Sequence, residues 1–140
     1  MKIFIHLNIV LNKTEIEFTY CTAKLKNGVV YLIFKENADL DVAEIRELIK
    51  AAEKLADHKP YLLFSDSRVN LNISSEGRKV AADKKEAPLL VANAALVNNL
   101  GVAITANFFS TFNKPHFEFK IFNNEKKALK WLLQFDPNKK

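Results

Sequence analysis

Asp66, Arg68, Asn72, Ser74 and Ser75 lie within ten residues of one another and are the side chains best placed to recognise or accept a charged group. They follow the apolar run Tyr61-Leu62-Leu63-Phe64 and occupy a dense polar loop that ends on hydroxyls positioned to cap a helix. In an open α/β sheet such a junction is the carboxyl end of a buried strand, where ligands and partners are met. Asp66 and Arg68 read either as a binding pair or as an ion pair within the loop, the latter worth little at a surface. Ser74 and Ser75 can accept a phosphoryl group, whose charge a helix N-terminus tolerates. Alternatively, one of them simply caps that helix.

Catalysis is poorly provided for. No histidine or cysteine lies near this loop in sequence, and neither a Gly-rich phosphate loop nor a nucleophile elbow occurs. Glu15 with Glu17 and Glu44 with Glu47 read as surface or capping carboxylates. His6, His58 and His116 are far apart and lack metal-ligand spacing, so neither a metal nor a cofactor is expected. The expectation is that the chain is not an enzyme and has no catalytic residue. Cys21 is the single cysteine. No intramolecular disulfide can form, which favours a reducing compartment.

Phe108, Phe109 and Phe112 raise a different question. On a helix, Phe108 and Phe112 share a face while Phe109 lies about 100° away. The third aromatic either extends the core or marks an exposed patch, hence a homodimer interface or a pocket for a lipid-like ligand. Its neighbours Asn107, Ser110, Thr111 and Asn113 supply a polar margin.

Charge and length narrow the partners. The 140 residues carry 21 Lys and Arg against 16 Asp and Glu, a net charge of +5. All of the excess lies in residues 71–140, with eleven basic side chains against six acidic ones. Without an arginine-rich recognition helix or an aromatic stacking motif, these lysines read as solubility chemistry and not as a nucleic-acid surface. The apolar run Ile3 to Val10 is interrupted by His6 and Asn8 and is too short to cross a membrane. No small-residue cleavage site follows it, so no transmembrane segment and a cytoplasmic location are expected.

The elements that must hold the polar loop follow from period and punctuation. Ile16, Phe18, Tyr20 and Thr22 alternate with Glu15, Glu17, Thr19 and Cys21, predicting a strand near 16–25. Asn27-Gly28 suits a type I′ turn into a second strand near 29–35. Asp41 and Glu44 form a capping box, and Val42, Ile45, Leu48, Ile49, Ala52 and Leu55 give one apolar face, with Pro60 as the stop. A buried strand near 61–66 follows, then a helix over 75–86 with Val80 and Ala81 inward, then a strand near 89–96.

Residues 98–113 fit both a helical and a strand period, and the preceding strand decides for a helix. A strand near 117–122 and a helix capped by Asn123 or Asn124, with Ala128, Leu129, Leu132 and Leu133 inward, complete the order. That order is β-β-α-β-α-β-α-β-α, an α/β fold with a single mixed, mostly parallel sheet flanked by helices. The domain spans 14–135. Residues 1–13 are an N-terminal extension or extra strand, and 136–140 a C-terminal tail.

This order resembles the STAS domains, the anti-sigma-factor antagonist fold. In that family the third strand leads to an Asp-Ser-Ser-Gly motif opening a helix, and one serine is phosphorylated to release a partner. Here Ile73-Ser74-Ser75-Glu76-Gly77 stands in its place, without the acid before the serines and with an added Glu. The nearer similarity is to short bacterial STAS-like proteins with no assigned function. It rests on Asp66-Ser67-Arg68, on Asn107-Phe108-Phe109 running to Asn113-Lys114-Pro115, and on Phe122 followed by Ala128-Leu129-Lys130-Trp131-Leu132. The resemblance implies a bacterial regulatory module that works through protein contacts, with an unknown protein partner. A small carrier of hydrophobic ligands, related to CRAL-TRIO folds, is the competing expectation.

Overall fold

The computed structural model describes residues 14–99 and 115–138. Strands β1 (Glu15–Glu17), β2 (Cys21–Lys26) and β3 (Val29–Phe34) form an antiparallel meander. β4 (Ala38–Leu40) precedes helix α1 (Val42–Leu55), and β5 (Tyr61–Asp66) returns into the sheet. β6 (Leu71–Ile73), helix α2 (Ser75–Ala82), β7 (Leu90–Leu96), β8 (Glu118–Phe122) and helix α3 (Glu125–Leu133) follow. The main sheet has six strands in the order β1-β2-β3-β5-β7-β8, parallel from β3 onward. β4 and β6 form a separate two-stranded parallel ladder.

The expected α/β architecture is present, with instructive departures. The strand expected near 16–25 is two strands, because the chain reverses between Glu17 and Cys21, where Phe18 N–H donates to the Cys21 carbonyl at 2.8 Å. The reversal puts Cys21 and Ala23 inward in place of Thr22. Phe18 and Tyr20 continue the apolar alternation, yet they stack on each other at the turn with ring centroids 5.3 Å apart. The Asn27-Gly28 turn is as expected, both residues having positive φ, 52° and 80°.

Helix α1 carries the expected capping box between Asp41 and Glu44 and buries Ile45, Leu48, Ala51, Ala52 and Leu55. It ends at Leu55, ahead of Pro60, because Asp57 and His58 take left-handed backbone. Helix α2 ends at Ala82 and not at 86, since the Asp83 carbonyl accepts the Glu86 and Ala87 N–H groups in a turn. Asn124 caps α3, as one of the two asparagines expected there. Leu132 is fully buried, but Leu133 is 43% exposed, against the expectation that both face inward. The helix expected over 98–113, and with it Phe108, Phe109 and Phe112, lies outside the described residues beyond Asn99, as do residues 1–13.

The core has two layers. On one face of the sheet, α1 and α2 cover Ile16, Val30, Leu32, Phe34, Tyr61 and Leu63. On the other, α3 lies over Val29, Leu62, Phe64, Ala92, Ala94 and Leu96. Ala92 and Ala94 are fully buried on β7 and allow α3 to approach its backbone closely. Burial of a side chain as large as Phe64 or Leu132 contributes about 1.5–3 kcal/mol. The result is a rigid platform whose parallel strands β3, β5 and β7 all end at one edge.

Candidate functional site

That edge collects the polar loop in two adjoining places. The first is the meeting of two helix starts. Ser74 is the N-cap of α2, its hydroxyl oxygen accepting the Gly77 N–H at 2.9 Å. The same hydroxyl donates to Asp41 Oδ1 at 2.6 Å, and Asp41 is the N-cap of α1. Asp41 Oδ1 also accepts the Val42 N–H at 2.8 Å, while Glu44 accepts the Asp41 N–H at 2.8 Å. The Ser74 hydroxyl, and after it the Val42 N–H, hold the Asp41 carboxyl below its ordinary range.

The β4–β6 ladder brings these caps together. It pairs Leu40 with Ile73, immediately before the two caps, and the Ser74 N–H donates to the Leu40 carbonyl at 2.9 Å. Asn72 pairs with Asp39 in the same ladder, its side-chain amide donating to Asp39 Oδ1 at 2.8 Å. Ser75, at the first helical position, is exposed, as is Asn72. Arg78 closes the underside, donating from Nη1 to the Ile73 carbonyl at 2.7 Å.

The second place is a cleft of about 370 Å³ lined by Ile33, Phe34, Asp66, Arg68, Val69 and Asn98. These residues come from the carboxyl ends of β3, β5 and β7, three neighbours in the sheet. Asp66 and Arg68 form a two-pronged ion pair, Nε to Oδ1 at 2.9 Å and Nη2 to Oδ2 at 2.8 Å. The acid lies beneath the base: the Asp66 side chain is 18% exposed and that of Arg68 45%. The bond to Asp66 raises the guanidinium above its already high pKa. Asp66 Oδ1 also accepts the Arg68 backbone N–H at 3.3 Å, and the Asn98 amide donates to the Arg68 carbonyl at 3.3 Å. Ser67, between them, is buried, and its Oγ has no hydrogen-bond partner among the described residues.

The five residues that sequence singled out thus divide. Asp66 and Arg68 belong to the cleft, whereas Asn72, Ser74 and Ser75 belong to the helix starts. Sequence reasoning read Asp41 only as a cap of its own helix and missed that it also holds Ser74. It also missed Asp39 and Asn98, whose roles depend on long-range pairing. A separate cavity of about 90 Å³ lies between α1, α2 and the sheet, walled by Leu48, Ala52, Leu63, Ala81, Leu90 and Phe117. At its floor Ser65 Oγ donates to Asn93 Oδ1 at 2.8 Å. Small-molecule sites occupy about 300–1,000 Å³, so this cavity gives a lipid carrier no support. No helix among the described residues is long and apolar enough to cross a membrane.

Residues 23–136 match the family described as a domain of unknown function, DUF7793. The fold is similar to the crystal structure of an uncharacterized DUF3478-family protein with a SpoIIAA-like fold from Shewanella loihica PV-4. The identity is 19%, the match covers 80% of this chain and 91% of that one, and the TM-score is 0.51. At that identity the likeness is one of fold, and it agrees with the STAS-like order read from sequence. Comparison with curated proteins finds no match.

Proposed function

From the premise that this chain belongs to the DUF7793 family of domains of unknown function, we propose that it is a non-enzymatic regulatory module that works through protein contacts. The observation that carries the reading is the Asp41–Ser74 bond joining two helix N-caps at 2.6 Å beside an exposed serine. A surface of this kind is sensitive to charge. Phosphate on Ser74 would stand against the Asp41 carboxylate and take away a hydroxyl that two groups already use. Phosphate on Ser75 would project from the first turn of α2, where the partial positive charge of the helix start favours an anion. Within this reading Ser75 is the switch, Ser74 the fastener, and Asn72 with Ser75 the contact surface for an unknown protein partner.

The same reading includes cytoplasmic action and a homodimer, motivated by the sequence pattern of Phe108, Phe109 and Phe112. Light scattering tests the dimer: a monomer at high concentration refutes it.

Affinity capture from the source cell, quantified by mass spectrometry, tests the contact surface with wild type, Ser75→Glu and Asn72→Arg as baits. The expected result is one protein retained by wild type and lost from both variants, with unchanged thermal melts. Identical capture by all three baits would refute the assignment.

A further inference from the structure

We propose that the cleft at the ends of β3, β5 and β7 binds a small monocarboxylate with an apolar body, the carboxylate on Arg68 and the body against Ile33, Phe34 and Val69. The inference does not rest on the protein-contact reading above.

Its volume, about 370 Å³, falls in the usual range for small-molecule sites, and its open lining sets Ile33, Phe34 and Val69 beside the Asp66–Arg68 pair and Asn98. Its position, at the carboxyl ends of parallel strands, is where open α/β sheets receive ligands. The decisive feature is how Arg68 is held. Asp66 takes one edge of the guanidinium, through Nε and Nη2. The other edge, Nη1 with the second Nη2 hydrogen, has no partner among the described residues, and Arg68 is the more exposed side chain of the pair. A planar fork of two donors matches a carboxylate in the two-point geometry that arginine favours.

The base is also immobilised before any ligand arrives. Asp66 fixes the plane of the guanidinium, and both backbone groups of Arg68 are bonded, its N–H to Asp66 and its carbonyl to Asn98. Little side-chain freedom is left to lose on binding. Electrostatics select the charge of the ligand. Asp66 already balances Arg68, and Glu125 adds its field at the guanidinium. Two carboxylates against one guanidinium leave no net Coulombic pull on an anion, so the two-point hydrogen-bond fork must hold a monocarboxylate, and a phosphate dianion would be repelled more strongly. The apolar walls must then supply the remaining affinity.

The test is a titration of the full ¹⁵N-labelled chain followed through the Arg68 Nε–H and Asn98 side-chain amide signals. Phenylacetate serves as the probe, with its neutral isostere phenylacetamide and inorganic phosphate as comparisons. Phenylacetate is expected to shift both signals saturably, and the two comparison compounds to leave them nearly unmoved. Arg68→Gln should weaken phenylacetate binding about tenfold or more, the loss of a charge-assisted fork. Arg68→Lys preserves the charge if the Gln variant unfolds, and it should also bind more weakly. Equal shifts with phenylacetamide would reduce the site to an apolar crevice, and equal shifts with phosphate to general anion attraction. Either result, no saturable shift, or full binding by Arg68→Lys overturns the proposal.

Discussion

Replacing Gly77 by Ala should destabilise the protein, although helix propensity alone argues for the reverse. In a helix interior the change from Gly to Ala is worth about 0.5–1 kcal/mol in favour of Ala. Gly77 sits at the third position of α2, and a methyl group there would meet Ser74 Oγ at 3.1 Å, Ile45 Cγ1 at 3.3 Å and Ile73 Cγ2 at 3.3 Å. None of the three yields easily. Ser74 Oγ is held by the Gly77 N–H and by Asp41, Ile45 is 6% exposed in the core, and Ile73 is paired in the β4–β6 ladder. Overpacking of this kind costs about 1–3 kcal/mol, so the net loss should be about 1 kcal/mol.

Urea denaturation of wild type, Gly77→Ala, Ser74→Ala and the double variant measures this directly. Ser74→Ala removes the nearest obstacle but also the cap, at a cost of about 1 kcal/mol. The double variant should therefore lose less than the sum of the two single losses. A Gly77→Ala protein as stable as wild type, or more so, would refute the reasoning. It would mean that α2 can slide on α1, and that the two helix starts are not rigidly joined.

Three further outcomes are expected. Asp41, Glu17 and Glu86 are each held below their ordinary carboxyl range, chiefly by Ser74, Lys35 and Arg46 respectively. The stability they add is fully present above the unfolded-state value and is lost as pH falls through the depressed native one. Urea midpoints should therefore begin to drop below pH 4.5, the ordinary Glu value, and drop further below 3.8, the ordinary Asp value, and Asp41→Asn, which keeps the cap but cannot titrate, should shrink that further drop. An unchanged drop would show that Asp41 is not among the linked groups. Ser67→Ala removes a buried hydroxyl that has no partner among the described residues and should be neutral or stabilising by up to about 1 kcal/mol; a clear loss in the thermal melt would reveal a partner for that hydroxyl. Burial pushes the Cys21 thiol up to about 12, so a disulfide reagent at neutral pH should label it only as fast as the protein unfolds, and rapid native labelling would contradict its place in the core.

Much of this fold is written locally. The Asp41–Glu44 box, the Asn27-Gly28 turn and the apolar run Tyr61 to Phe64 each declare their element because cap, turn and buried strand depend on neighbours close in sequence. Their alternation was enough to imply a mostly parallel sheet and a polar loop at its edge. Where the same signals mislead, a local pattern has two outcomes: Phe18 and Tyr20 keep an apolar period through what is a turn, and the reversal is set by the pairing of Glu15–Glu17 with Thr22–Lys24.

The site itself was legible only as a list of residues. Asp41 and Ser74 are 33 positions apart, and Arg68 and Asn98 are 30 apart. Nothing in either local segment encodes those distances. They follow from the β4–β6 ladder and from the neighbouring of β5 and β7, which are pairings the chain makes only when the whole sheet closes over its two layers of core. Sequence determined which side chains are polar, short and placed at helix starts. Tertiary structure decided that one serine serves two helices and that one arginine, anchored from beneath, faces a cleft.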